Sequence, residues 1–307
     1  MQNSRDALGD DEHGRIGNPS DVLANLSVGR HIDRAGGVIK NEHARMLEQC
    51  ACDAQALLLA TRDTGAALAQ LAVESADDPN ALTLLIPRAN DKGFAMTGSY
   101  SCMTLLSTLI FDTASDEQKA EWVETIAKMG EEVIARESEV ADYLAGDFNR
   151  VTYLGSGSFG GLAQESQLKI LELAHGLVAT SYDTSMGYRH GPKSFVDDKT
   201  LVFVFVNNDA YTRQYDIDIL NEIGGDKIAQ HTIAVQQEGA TVYEGESFTF
   251  KGYEALPEGY LALPFVMFAQ AISLLNSVRV GNTPDTPSPT GTVNRVVKGV
   301  TIHPFTA

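Results

Sequence analysis

Glu165, Lys169 and Glu172 stand at i, i+4 and i+7 within Gly160–His175. On a helix these three ionisable side chains share one face. The rest of the segment is largely apolar. Leu162, Leu168, Ile170, Leu171, Leu173 and Ala174 spread around the circumference, which predicts a helix buried on most sides. Buried ions cost several kcal/mol each unless they are paired or face a polar cavity. Two readings follow. In one, the stripe is a structural Glu–Lys pairing. In the other it lines a site, and one glutamate is the base of a proton transfer. Further along, Arg189-His190-Gly191-Pro192 places an imidazole in a loop between two cations, Arg189 and Lys193. Histidine is the side chain best suited to exchanging protons near neutrality. His175, by contrast, reads as a helix-terminal residue that complements the helix dipole.

The elements that must position these groups form half of a parallel α/β unit. A β-type run, Val151 to Leu154, meets the glycine turn Gly155-Ser156-Gly157-Ser158-Phe159-Gly160, then the helix, then a second β-type run from Leu177 to Tyr182. A glycine turn opening a helix suits a phosphate, and the hydroxyls of Ser156 and Ser158 add to its backbone N–H groups. The same six residues are a literal GxGxxG, and Asp183 stands where a dinucleotide unit places its ribose acid. A nicotinamide dehydrogenase is therefore the rival reading. Charges on a face that should pack closely against the sheet weigh against it.

The 307 residues, 43% hydrophobic and 21% charged, suffice for two modest α/β domains. A formal charge of −18 speaks against nucleic acid, whose recognition needs basic stripes. No apolar run is read as membrane-spanning, and the polar stretch 1–14 is no signal peptide, so a soluble cytoplasmic protein is expected. Cys50, Cys52 and Cys102 form no disulfide framework and read as free thiols.

Along the chain, 1–14 reads as a disordered tail. Short strands are expected at 56–60 and 81–86, with a helix at 64–72 between them and another from Thr97 to Phe111. Ser115-x-x-Gln118 is a capping-box signature. From it to Leu144 the apolar positions Trp122, Ile126, Met129, Val133, Val140 and Leu144 predict one long amphipathic helix, a core or interface stripe that links two domains. Leu201 to Val206 is a buried central strand. A turn at Asn207-Asn208-Asp209 opens a helix through Ile223, and strands follow at 228–235 and 247–250. Pro264 suits the first turn of a helix that runs to about Val280.

The segments GSGSFGGLAQESQLKILELAHG, SYDTSMGYRHGPKSFVDDKTLVFVF and NTPDTPSPTGTVNRVVKGVTIHPF resemble the double sugar-isomerase (SIS) domain proteins, above all their AgaS branch. The likeness runs from about Leu57 to the C-terminus. It implies two SIS-type, flavodoxin-like parallel-sheet sandwiches, the first truncated: a tail 1–14, a partial first domain 15–114, a linking helix 115–148, a second domain 149–291 and an active-site tail 292–307. The implied activity is conversion of galactosamine 6-phosphate to tagatose 6-phosphate plus ammonia, or aldose–ketose isomerisation of tagatose 6-phosphate, with no metal or organic cofactor. By the resemblance Glu172 is the proton-transfer base, His190 opens the sugar ring and Lys298 steadies the enediolate oxygen. Glu165, Lys169, Gly155, Ser156, Ser158 and Thr97 are its substrate-binding positions. The histidine loop of relatives reaches a neighbouring subunit's site, which implies a homodimer with a shared active site.

The pattern departs from the family near the N-terminus. The phosphate loop there corresponds to Arg15-Ile16-Gly17-Asn18-Pro19-Ser20-Asp21, so Asn18 and Ser20 are its remaining substrate contacts. Loss of that anchor weakens binding, and the competing class is a non-catalytic sugar-phosphate sensor or an inactive truncated paralogue.

Overall fold

The computed structural model describes residues 84, 86, 89–239, 241–295, 301 and 303. The tail 1–14, Asn18, Ser20, Cys50, Cys52, the elements expected at 56–60 and 64–72, most of the strand expected at 81–86, and Lys298 lie outside the described residues.

Helix α1 spans Thr97–Phe111, the bounds the sequence predicts. Its N-cap residue, Met96, offers no side-chain acceptor. Asp91 supplies one from upstream, accepting from the N–H groups of Gly98 at 3.0 Å and Ser99 at 2.7 Å. Helix α2, Asp116–Ala135, starts at Ser115, whose hydroxyl accepts from the Gln118 N–H at 3.2 Å. The Gln118 side chain does not complete the box; it donates to Glu121 at 3.2 Å.

The single helix expected to Leu144 is instead two. α3, Glu137–Asp142, begins after Arg136, whose backbone leaves helical geometry at φ −99°, ψ 24°. Tertiary contacts hold that break. The Arg136 guanidinium lies 3.7 Å from the centre of the Phe248 ring, donates to the Thr249 carbonyl at 3.0 Å and pairs with Glu132 and Glu139. The apolar stripe is core: Ile126, Met129, Val133, Val140 and Leu144 are all buried.

Five parallel strands follow: β1 Arg150–Gly155, β2 Ala179–Asp183, β3 Thr200–Phe205, β4 His231–Gln237 and β5 Ser247–Phe250. They form one sheet in the order β2-β1-β3-β4-β5, the flavodoxin-like order and not the dinucleotide-binding one. Tyr153 of β1 lies level with Tyr182 of β2 and Phe203 of β3. β1 and β3 are buried almost throughout, as strands covered on both faces must be.

Helix α4, Phe159–Leu173, connects β1 to β2; α5, Ala210–Asp226, connects β3 to β4; α6, Glu258–Arg279, closes the described fold. Side chains alternate across the strands. Val151, Tyr153, Phe203, Phe205, Val235 and Phe250 join α2, α4 and α6 in one core layer. Leu154, Val202, Val204 and Val206 join α5 and Tyr188 on the other face. α4 is less enclosed than its composition predicts, because Leu168 and Leu171 are exposed at 39% and 37%.

Helix α6 starts at Glu258, so Pro264 lies inside it and not in its first turn. Anchors just before and within its first turn set that start. The Leu256 N–H donates to Gln237 at 3.1 Å, the Leu256 carbonyl accepts from Asn208 at 3.0 Å, and the Tyr260 hydroxyl donates to Asp112 at 2.7 Å. Against expectation, α6 is long and apolar enough to cross a membrane by length and composition, but 61% of its apolar window is buried within the fold.

The β1–α4 turn leaves no room at Gly155. A Cβ there would lie 2.6 Å from the Phe159 Cβ and 2.7 Å from the Phe159 carbonyl oxygen. Gly155→Ala is expected to cost about 1–3 kcal/mol of stability, as overpacking does, read from the midpoint of chemical denaturation.

Candidate active site

The glycine turn ends β1, and the helix it opens carries the three ionisable side chains. α4 terminates in a Schellman motif: the Gly176 N–H donates to the Leu171 carbonyl at 3.0 Å and the His175 N–H to the Glu172 carbonyl at 3.1 Å. His175 takes left-handed φ 50° there, so it is a helix-terminal residue as the sequence predicts. Both ends of α4 are therefore fixed, and with them the azimuth of its polar stripe.

Along that stripe Lys169 bridges both glutamates. Its Nζ is 2.6 Å from Glu172 Oε2 and 3.5 Å from Glu165 Oε1. The three side chains are 9%, 27% and 13% exposed for Lys169, Glu172 and Glu165, so Glu172 is the most open. Burial raises the Glu165 carboxyl above its ordinary value, with Lys169 opposing and Glu172 adding to the rise. Tyr100 of α1 belongs to the same cluster. Burial and the Glu165 charge push its phenol up to about 12. Sequence reasoning missed Tyr100; its spacing of i+3 from Thr97 was the available signal. Thr97 itself opens α1, its carbonyl accepting from Gln270 at 3.4 Å, beside an open cleft of about 300 Å³ lined also by Leu173, Met267 and Leu274.

Two carboxylates of this chain reach the glycine turn. The Ser158 N–H donates to Glu258 Oε1 at 2.5 Å, and a Cβ on Gly157, at φ 62°, would meet that same oxygen. The Ser156 hydroxyl donates to Asp216 Oδ1 at 2.6 Å. Asp216 is fully buried and also accepts from Ser185 at 2.5 Å and from the Asn207 N–H at 2.9 Å. Burial raises its carboxyl; those three donors and nearby Arg213 oppose the rise. The donors expected to receive a substrate phosphate thus hold Glu258 and Asp216. Neither carboxylate was singled out in the sequence, because both sit far along the chain from the turn. Asp183 accepts from the Thr184 N–H at 2.7 Å.

His190 ends a 3₁₀ turn, Gly187–His190, and is exposed. That turn and the next, Pro192–Phe195, lie over the sheet face opposite α4. Tyr188 packs among Leu154, Val202 and Val204, and Arg189 and Lys193 reach Glu222 on α5. The chain therefore unites Glu165, Lys169 and Glu172 beside α1 but holds His190 on the far side of its sheet.

A five-stranded parallel sheet in this order, with a glycine turn leading into a Glu-Lys-Glu helix, defines a sugar-isomerase-type α/β domain. The comparisons with known proteins agree. D-galactosamine-6-phosphate deaminase AgaS of Escherichia coli is 38% identical over 294 residues, 94% of this chain and 74% of the relative. The protein of that name from Shewanella sp. strain ANA-3 is 37% identical over 239 residues, 77% of this chain and 58% of the relative. The crystal structure of tagatose-6-phosphate ketose/aldose isomerase from Escherichia coli matches with a TM-score of 0.69 at 36% identity, over 80% of this chain and 63% of that one. The C-terminal domain of glucosamine-fructose-6-phosphate aminotransferase from Francisella tularensis shares the fold, with a TM-score of 0.53 at 17% identity. No family model matches the chain. The chain belongs to the AgaS family.

The raised Glu165 carboxyl has a consequence for stability. A carboxyl whose folded pKa lies above its unfolded one stabilises fully below the unfolded value, ordinarily 4.5, and loses that contribution as pH rises through the folded value. Glu165→Gln is therefore expected to flatten the decline in stability above the ordinary carboxylate range, read from denaturation midpoints across a pH series.

Proposed function

We propose that this chain is a sugar-phosphate isomerase/deaminase that converts galactosamine 6-phosphate and water to tagatose 6-phosphate and ammonia. The observation that carries the reading is the Glu165–Lys169–Glu172 cluster. Lys169 binds one oxygen of Glu172, and the other oxygen accepts no hydrogen bond from the described residues. A carboxylate on a rigid helix, partly open and held by an adjacent ammonium, is equipped to move a proton between C2 and C1 of an open-chain sugar.

In the proposed sequence an imidazole, His190, transfers protons at O5 and O1 to open the ring. Glu172 then takes the proton from C2, and Lys298 stabilises charge on the developing oxygen. In the amino sugar the same shift yields an imine at C2, and water hydrolyses it to the ketose and ammonia. Thr97, Asn18 and Ser20 are assigned to the substrate. In a keto sugar phosphate the same proton transfer is a simple aldose–ketose isomerisation. The placement of His190 across the sheet from Glu172 favours a site completed by the histidine loop of a second copy, and hence a homodimer. A soluble, cytoplasmic enzyme without nucleic-acid or membrane partners goes with this reading.

Two measurements test it. Glu172→Gln is expected to cut release of ammonia and tagatose 6-phosphate by about 10²- to 10⁴-fold, with sugar-phosphate binding retained; undiminished turnover would sink the assignment. Mixing Glu172→Gln and His190→Ala subunits, each with only residual turnover alone, is expected to restore a large part of the activity, because one of the two sites in a mixed dimer is intact. Mixtures as inactive as either parent would mean that each subunit builds its own site.

A further inference from the structure

The His190 imidazole makes no hydrogen bond or ion pair to the described residues, yet its loop is held tightly around it. Upstream, the Ser185 hydroxyl is bonded to buried Asp216, and the fully buried Tyr188 places its hydroxyl 3.2 Å from that of Thr152. On either side of the imidazole stand two cations, and one carboxylate is paired with both, through a hydrogen bond to Lys193 and a charge contact without hydrogen-bond geometry to Arg189. Glu222 Oε2 is 3.0 Å from Arg189 Nε, and Glu222 Oε1 is 2.6 Å from Lys193 Nζ. Asp226 adds a second contact to Lys193 at 2.9 Å. Between the two cations lie only His190, Gly191 and Pro192. Gly191 takes φ 136°, a conformation that L side chains rarely adopt, and its carbonyl accepts from the Ser194 N–H at 2.9 Å.

We infer that Glu222 is a positioning residue for His190: its carboxylate bridges Arg189 and Lys193 and fixes the direction in which the imidazole leaves the subunit. The inference rests on the proposed role of His190 in ring opening. Ordinary ion pairs of this exposure contribute little to global stability. Those of Glu222 are 30–34% exposed on all three side chains, so their removal should leave the fold intact. What changes is the loop. A small displacement of a group that must meet a reacting atom costs rate steeply. A freely moving imidazole also spends most of its time out of reach of a sugar held elsewhere.

The experiment uses the full chain with Glu222→Gln, His190→Ala and the double variant. Galactosamine 6-phosphate turnover is followed alongside thermal midpoint and amide hydrogen exchange over Gly187–Phe195. The expected result is a fall in kcat of about 10- to 10²-fold for Glu222→Gln, an unchanged midpoint and faster exchange confined to the loop. The double variant should be no slower than His190→Ala, because a residue acting only through the imidazole has no effect once that is gone. Should Glu222→Gln fail to fold, Arg189→Met and Lys193→Met each remove one arm and are expected to show the same epistasis. Losses that add in the double variant, or loop exchange that does not change, would overturn the clamp. A His190→Ala chain that turns over at the full rate would instead defeat the assignment of His190. The exchange measurement reads the clamp whether or not that assignment stands.

Discussion

An ammonium group cannot stand alone where the fold puts Lys169. Only 9% of its side chain meets solvent, and an unpaired charge there carries a desolvation cost of several kcal/mol. Two carboxylates one turn away in each direction offset it, and that requirement sets much of what surrounds α4. The helix must start where the glycine turn puts it and stop at its Schellman motif, or the three groups would not share a face. α1 must then place beside Glu165 a side chain that tolerates a nearby negative charge. Tyr100 does so as a neutral phenol, its ionisation pushed further out of reach by burial and by Glu165. Glu172, the most exposed of the three, is the end of this arrangement that opens outward.

The carboxyl ends of the strands are organised around a second buried charge. Asp216 lies on α5, but its donors come from the turn after β1, the loop after β2 and the end of β3. Arg213, one turn away, reaches the Asn207 and Thr241 carbonyls and the side chain of Gln236. In open parallel sheets this crevice is where ligands ordinarily bind. Here Asp216 accepts from the Ser156 hydroxyl and Glu258 from the Ser158 N–H. The groups proposed to carry the chemistry lie along α4 and on the histidine loop, on opposite faces of the sheet.

The layered α/β fold was legible because its signals are local. The bounds of α1, the buried run of β3, the turn at Asn207-Asn208-Asp209 and the Glu-Lys-Glu spacing are all written in neighbouring residues. The errors fell where distant residues intervene. Arg136 splits an otherwise periodic helix because Phe248 and Thr249 hold its side chain. α6 begins ahead of Pro264 because Gln237 and Asn208 anchor Leu256, and a proline in a helix is then tolerated by a fold that has already committed the flanking turns.

By itself the sequence determined which groups are available for chemistry and on which element each sits, since helical and strand periodicities are properties of short segments. Only the tertiary structure decided which of them meet. That Lys169 is shared between two glutamates, that Ser156 and Ser158 are engaged by Asp216 and Glu258, and that His190 stands across the sheet from Glu172 all depend on how far-apart segments pack. Burial, which governs the energy of every one of these charges, exists only once they have packed.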